Sequence, residues 1–130
     1  MAVANSVKTN SYANEKQILI APELAFSIGC LVGNTGVEAD TNGKKIIKAG
    51  TPVGGSTSVL TNRQTVLTKG AENAQGVVLH DVDVTDGDGR ATLVIAGYVD
   101  LYKLDADVVT IANEAAKTLN RIVFLNGSKN

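Results

Sequence analysis

The sequence predicts a mainly β chain with one late α-helix: a small single domain of barrel-like or sandwich-like build with an extended N-terminal arm. Three observations lead there. Thirteen glycines against two prolines in 130 residues give the turn density that short-stranded β proteins need. Val, Ile, Leu and Thr fall in brief runs of alternating character, separated by Gly, Asn and Asp clusters. Only residues 105–120 carry a helical period. The length makes one domain the expectation, with residues 1–16 as a flexible arm and residues 17–130 as the β-rich body. A chain of this size hides roughly two-thirds of its unfolded surface, enough for a core without disulfide or metal staples.

The elements follow in order. The opening MAVANSVKTNSYANEK is polar and aperiodic, with Val3, Val7 and Tyr12 as the side chains able to anchor it. QILIAP supplies a short strand through Ile18, Leu19 and Ile20, which Pro22 closes. In ELAFSIGCLVG, Leu24, Phe26 and Ile28 share one parity and Gly29 is expected to break the run. Val37, the Asn42-Gly43 pair and KKIIKAGTPVGG read as strand, turn, strand and loop. SVLTNRQTVLTKG adds two brief Val/Leu/Thr runs.

VVLHDVDV then places Val78, Val82 and Val84 on one parity and Asp81 and Asp83 on the other, toward solvent. RATLVIAGYVDL sets Ala91, Leu93, Ile95, Val99 and Leu101 on one face. TDGDG joins these two half-buried strands as a hairpin tip, so Asp86, Gly87, Asp88 and Gly89 form an exposed turn. In DADVVTIANEAAKTLN, Val108, Ile111, Ala112, Ala115 and Leu119 recur at helical spacing, with Asp105 or Asp107 placed to cap the start. RIVFLNG is a last strand and GSKN a polar tail.

Composition narrows the function. A net charge of −1 argues against a nucleic-acid partner, which calls for a basic face. Two Phe, three Tyr and no Trp leave the core to aliphatic side chains and weigh against a sugar site built on a stacking ring. Cys30 is the single cysteine and sits in apolar FSIGCLVG, so an inert buried thiol is expected. No stretch resembles a signal peptide or reaches the ~20 apolar residues of a membrane span. The expectation is a soluble protein made in a reducing cytosol, with no membrane partner.

Four aspartates, Asp81, Asp83, Asp86 and Asp88, crowd one stretch and invite a metal reading. A calcium loop wants a glycine sixth and a glutamate twelfth after its first ligand, and neither frame through these aspartates supplies both. His80, the only histidine, shares the parity of Val78 and Val82 and reads as structural; alone it cannot make a two-histidine site. GTPVGGST lacks the lysine and the following helix of a phosphate loop. Nothing in the sequence makes the acid pairs Glu23 with Glu38, or Glu72 with Asp81, converge. No catalytic residue, metal or cofactor is expected.

The order of the β segments carries a resemblance. Residues 49–53 (AGTPV), 74–83 (AQGVVLHDVD), the Gly87-Asp88 turn and residues 93–99 (LVIAGYV) resemble the capsid decoration, or head-stabilising, proteins of tailed bacteriophages, the lambda head protein D-like group. Residues 115–125 (AAKTLNRIVFL) are similar to the helix-then-strand ending of many small phage head proteins. The resemblance spans about the last two-thirds of the chain, through structural rather than catalytic motifs. It implies a structural virion protein that binds the outer surface of a phage head at symmetry axes and stabilises the expanded shell. The implied partners are the phage major capsid protein and further copies of the chain, as a homotrimer. On that reading Val3, Val7, Tyr12, Ile18, Leu19 and Ile20 are the docking residues. The alternatives are a small β module binding carbohydrate or a host surface, and the base of a head fibre.

Overall fold

A computed structural model describes residues 17–127. They form eight strands, β1 (Phe26–Val32), β2 (Ile46–Ile47), β3 (Pro52–Gly54), β4 (Val66–Lys69), β5 (Ala74–Val78), β6 (Val82–Asp83), β7 (Gly89–Asp100) and β8 (Ile122–Leu125), with one α-helix, α1 (Ala106–Ala115). The order β1-β4-β3-β5-β7 closes on itself through β1 and β7, making a five-stranded barrel with β8 added to the free length of β7. The β1–β4 and β7–β8 pairs are parallel and the other barrel pairs antiparallel. The mainly β, single-helix domain expected from the sequence is the fold observed.

Two apolar layers share β7. Inside the barrel lie Cys30, Val32, Val53, Leu67, Val78 and Leu93, closed over by Val37, Ile47, Val82 and Val84. Outside it, Val77 and Val94 meet Val108, Ala112 and Ala115 of the helix, together with Ile18, Leu19, Val99 and Ile122. The middle of β7 is therefore covered on both faces, which is why LVIA reads as a continuous apolar run.

The helix falls where its period places it, though its regular part stops at Ala115 and turns carry the chain to Asn120. Val108, Ala112, Ala115 and Leu119 are buried, and Ile111 is half-buried. Asp105 occupies the N-cap position without capping. Its carboxylate and that of Asp107 instead each lie 3.3 Å from the Lys48 ammonium. Burial pulls this ammonium down, but hydrogen bonds and charge from the two aspartates outweigh that effect and hold it above its ordinary value.

Four expectations need correction. β1 runs straight through Gly29, because its ladder to β7 continues across that residue, pairing Gly29 with Thr92. Its inward set is Ile28, Cys30 and Val32, whereas Leu24 belongs to a 3-10 turn (Pro22–Leu24) and Phe26 is exposed. The one-face reading of β7 fails beyond Ile95. Leu93 and Ile95 face the barrel, but Val99 faces the helix, because Ile95 is an extra residue in the ladder to β1, where Phe26 and Ser27 oppose Ala96 and Val94, and the alternation inverts there.

The hairpin is real only at its base, where Val77 pairs with Val94 and Val78 with Leu93. After Leu79 the chain bends away, and β6 pairs with β2 rather than with β7. Around the Asn42-Gly43 turn, finally, only the following residues form a strand. The Asp40 carboxylate accepts hydrogen bonds from the Asn42 and Lys44 amides, and the backbone adds Asp40 N–H to the Lys44 carbonyl and Gly43 N–H to the Asp40 carbonyl, so the turn is closed without a preceding strand.

Candidate functional site

Beyond the barrel rim, the last four residues of β7 form the centre of a small ribbon. Gly97, Tyr98, Val99 and Asp100 pair in register with Ile122, Val123, Phe124 and Leu125 of β8. On the other side of β7, the Ile20 amide donates to the Tyr98 carbonyl (3.0 Å) and the Asp100 amide to the Ile18 carbonyl (2.8 Å), with Leu19 bridged to Val99. Pro22 ends this short strand, since its ring has no N–H to continue a ladder, and the 3-10 turn leads on into β1.

The ribbon has one dry face and one wet face. Leu19, Val99 and Ile122 pack against the helix layer. Across the opposite face runs an apolar row, Ile20, Tyr98 and Val123, exposed by 43%, 42% and 47%, with Leu125 beside it. Among the described residues β8 pairs with β7 alone, so its outer backbone edge is open.

Of the expected docking residues, Val3, Val7 and Tyr12 lie outside the described residues. Ile18 and Leu19 are core side chains, 0% and 8% exposed, so of the three only Ile20 offers its side chain to a partner. The reason is topological. A strand ending at a proline reads as a free lead-in segment, but here it covers one side of β7 and one flank of the helix.

At the far end of the ribbon sits Asp100, 6% exposed, a residue that no pattern in the sequence singles out. Its carboxylate Oδ1 accepts hydrogen bonds from the Tyr102 and Gly127 amides, both at 2.9 Å. Gly127 comes so close that a Cβ there would collide with the carboxylate. The local half of this arrangement is legible, since Asp commonly accepts from the amide two residues on. The contact with Gly127, twenty-seven residues away, leaves no trace in the sequence.

The aspartate stretch is a tie between loops. Asp81 and Asp83 are exposed, as the alternation requires. Yet Asp81 Oδ1 accepts from the Ala49 amide (2.8 Å), and Asp83 Oδ1 accepts from both the amide (2.9 Å) and the hydroxyl (2.6 Å) of Thr85. The Thr85 hydroxyl oxygen in turn accepts from the Lys45 amide, which draws β6 toward β2. The Thr85 hydroxyl and amide, with Lys44 beside them, hold the Asp83 carboxyl below its ordinary value. In the turn itself Asp86 and Asp88 are exposed, whereas Gly87 and Gly89 are half-buried. Among the described residues no three His, Cys, Asp or Glu side chains come together as a metal site.

The remaining groups are dispersed. His80 is half-buried at the bend after β5, beside Asp81 and Arg90. Cys30 is buried inside the barrel, and burial pushes its thiol up, with Arg63 opposing weakly. A groove of about 450 Å³ near the helix start mixes Lys44, Lys48 and Lys69 with Glu38, Asp40 and Asp107, so it selects no sign of charge. No helix among the described residues is long and apolar enough to cross a membrane. No protein-family model matches the chain, and no curated protein is significantly similar to it.

Proposed function

We propose that the chain is a structural head protein of a tailed bacteriophage, binding the outside of the expanded shell and holding neighbouring capsid subunits together. The observation that carries this reading is the ribbon: an open strand edge and an apolar row through Ile20, Tyr98 and Val123, beside the point where residues 1–16 join the body. A contact of this kind suits β-augmentation, in which backbone hydrogen bonds supply affinity and alternate side chains supply selectivity. The segments that carry the sequence resemblance support it in a second way. They coincide with β3, β5, the β6–β7 turn, the centre of β7 and β8, the frame of the barrel and ribbon. A closed barrel with a two-sided β7 is a stiff body from which to brace a shell.

On this reading the partners are the major capsid protein and two further copies of the chain in a homotrimer. Several arms acting together then raise avidity well above that of one. The location is the outer surface of the virion head, and the chain performs no catalysis. Removing residues 1–16 is expected to leave the circular dichroism spectrum of the body intact while abolishing co-sedimentation with expanded, undecorated heads. Undiminished co-sedimentation of the shortened protein would end the docking role of the arm.

A further inference from the structure

We infer that the outer seam of the barrel between β1 and β7 binds a carboxylate, held between the guanidinium groups of Arg63 and Arg90. A pocket of about 330 Å³ opens there. Both arginines line it, with Leu31 as an apolar wall and Gln64 beside them, and no acid among the described residues lines it.

Separate features of the fold bring these residues together. Cys30 and Val32 of β1 turn into the barrel, so Leu31 points out. The register sets Leu31 opposite Arg90, which is exposed on the outward face of β7. Arg63 arrives from the turn before β4. There the Asn62 side chain accepts from the Gln64 amide (3.0 Å) and the Asn62 carbonyl from the Thr65 amide (3.2 Å). The Arg63 Nη2 then donates to the Gly29 carbonyl (3.0 Å), just short of Leu31, where the β1–β4 ladder begins. One donor thereby fixes the guanidinium, and its other N–H groups are uncommitted among the described residues.

Charge makes the pocket selective. Lys44, Lys48 and Lys117 each lie against a carboxylate. Among the described residues neither Arg63 nor Arg90 has an ion pair, so the pocket concentrates one sign of charge. Asp81 borders the hollow on the other side of Arg90, but its carboxylate accepts from the Ala49 amide and makes no ion pair with Arg90. Outside the described residues the one acid is Glu15, three residues before Ile18. Ile18 is tied to Asp100, ten residues beyond Arg90 on β7, or roughly 33 Å of strand. Three residues span at most about 11 Å, so Glu15 is not the missing anion. Guanidinium forks suit planar oxyanions. Leu31 favours one with a short carbon stem, and the exposed Asp86 and Asp88 of the adjoining turn repel an extended polyanion. The ligand is therefore a carboxylate, from a free small acid or from an acidic side chain of another protein.

This inference is independent of the capsid reading, and no heads enter its test. The test is a proton–nitrogen NMR titration of the full chain at constant ionic strength. The probes are succinate, the peptide acetyl-Ala-Glu-Ala-amide, its Gln counterpart and inorganic phosphate. Succinate or the Glu peptide is expected to give saturating shifts confined to residues 29–31, 63–64 and 90–91 and to the Arg63 and Arg90 Nε–H signals. Whichever saturates at the lower concentration identifies the source. R63Q and R90Q are each expected to raise the half-saturation concentration roughly tenfold or more, with the rest of the spectrum unchanged. Arg90 makes no other side-chain hydrogen bond among the described residues, so R90Q isolates the anion contact.

Shifts that rise without saturating, that spread over other basic surfaces, or that survive in both variants overturn the site. A Gln peptide that binds as well as the Glu peptide overturns the role of charge. Phosphate that saturates below both carboxylates overturns the assigned class of ligand.

Discussion

Asp100 and Asp83 are both carboxylates that accept two hydrogen bonds, and their surroundings give them different weight. Asp100 is buried, so Asp100→Ala leaves the amides of Tyr102 and Gly127 without their acceptor, at a cost of about 2–4 kcal/mol. Asp100→Asn keeps an acceptor in place and is expected to lose less. Urea denaturation of the two variants checks both the size and the order. Asp83 is fully exposed, and its lowered carboxyl makes a small contribution with a definite sign. A depressed folded-state pKa adds stability above the unfolded value, near about 4, and that contribution is lost as pH falls through the folded value. The stability gap between the native chain and Asp83→Asn is therefore expected to be present at neutral pH and to close in acid. A gap that persists or widens in acid would show that Asp83 acts through something other than its charge.

At the scale of elements, β7 decides most of the fold. It closes the barrel with β1 and β5, turns its other face to the helix, and continues into the ribbon between residues 18–20 and β8. The change of face comes at the extra residue Ile95, opposite Phe26 and Ser27, and two residues on the chain passes through Gly97, whose φ of 147° disfavours any other residue and whose Cβ would sit 3.1 Å from the Cβ of Ala25. Gly97→Val is expected to cost about 1–3 kcal/mol and to loosen the ribbon before the barrel. Amide exchange should rise first in residues 97–100 and 122–125, while β3, β4 and β5 stay protected.

The helix and β8 were legible in the sequence because their periods are local: Val108, Ala112, Ala115 and Leu119 declare one face without help from elsewhere. The departure of β6 from β7 was not legible. It depends on Asp81 reaching the Ala49 amide and on Lys45 reaching Thr85, contacts spanning 32 and 40 residues. For the same reason Ile18 and Leu19 read as exposed anchors when they are core. Which side of β7 a short apolar strand covers is set by tertiary packing, and alternation alone does not encode it. Of the ribbon's wet face only Ile20 was singled out, because Tyr98 and Val123 become neighbours only through the parallel β7–β8 register.

At the scale of the whole molecule, a closed barrel removes most strand edges and leaves the ribbon as an open one, next to the entry point of a polar arm. That asymmetry, a closed barrel carrying an open apolar strand edge among the described residues, is what the proposed role in holding capsid subunits together draws on. That role is tested most directly by adding the purified protein to expanded, undecorated phage heads and imaging them by electron cryo-microscopy. The expected result is ordered density on the outer surface at symmetry axes, with the ribbon and the N-terminal segment against capsid subunits and an occupancy that saturates. Heads that stay bare at saturating protein, or density scattered without regard to the shell's symmetry, would contradict it.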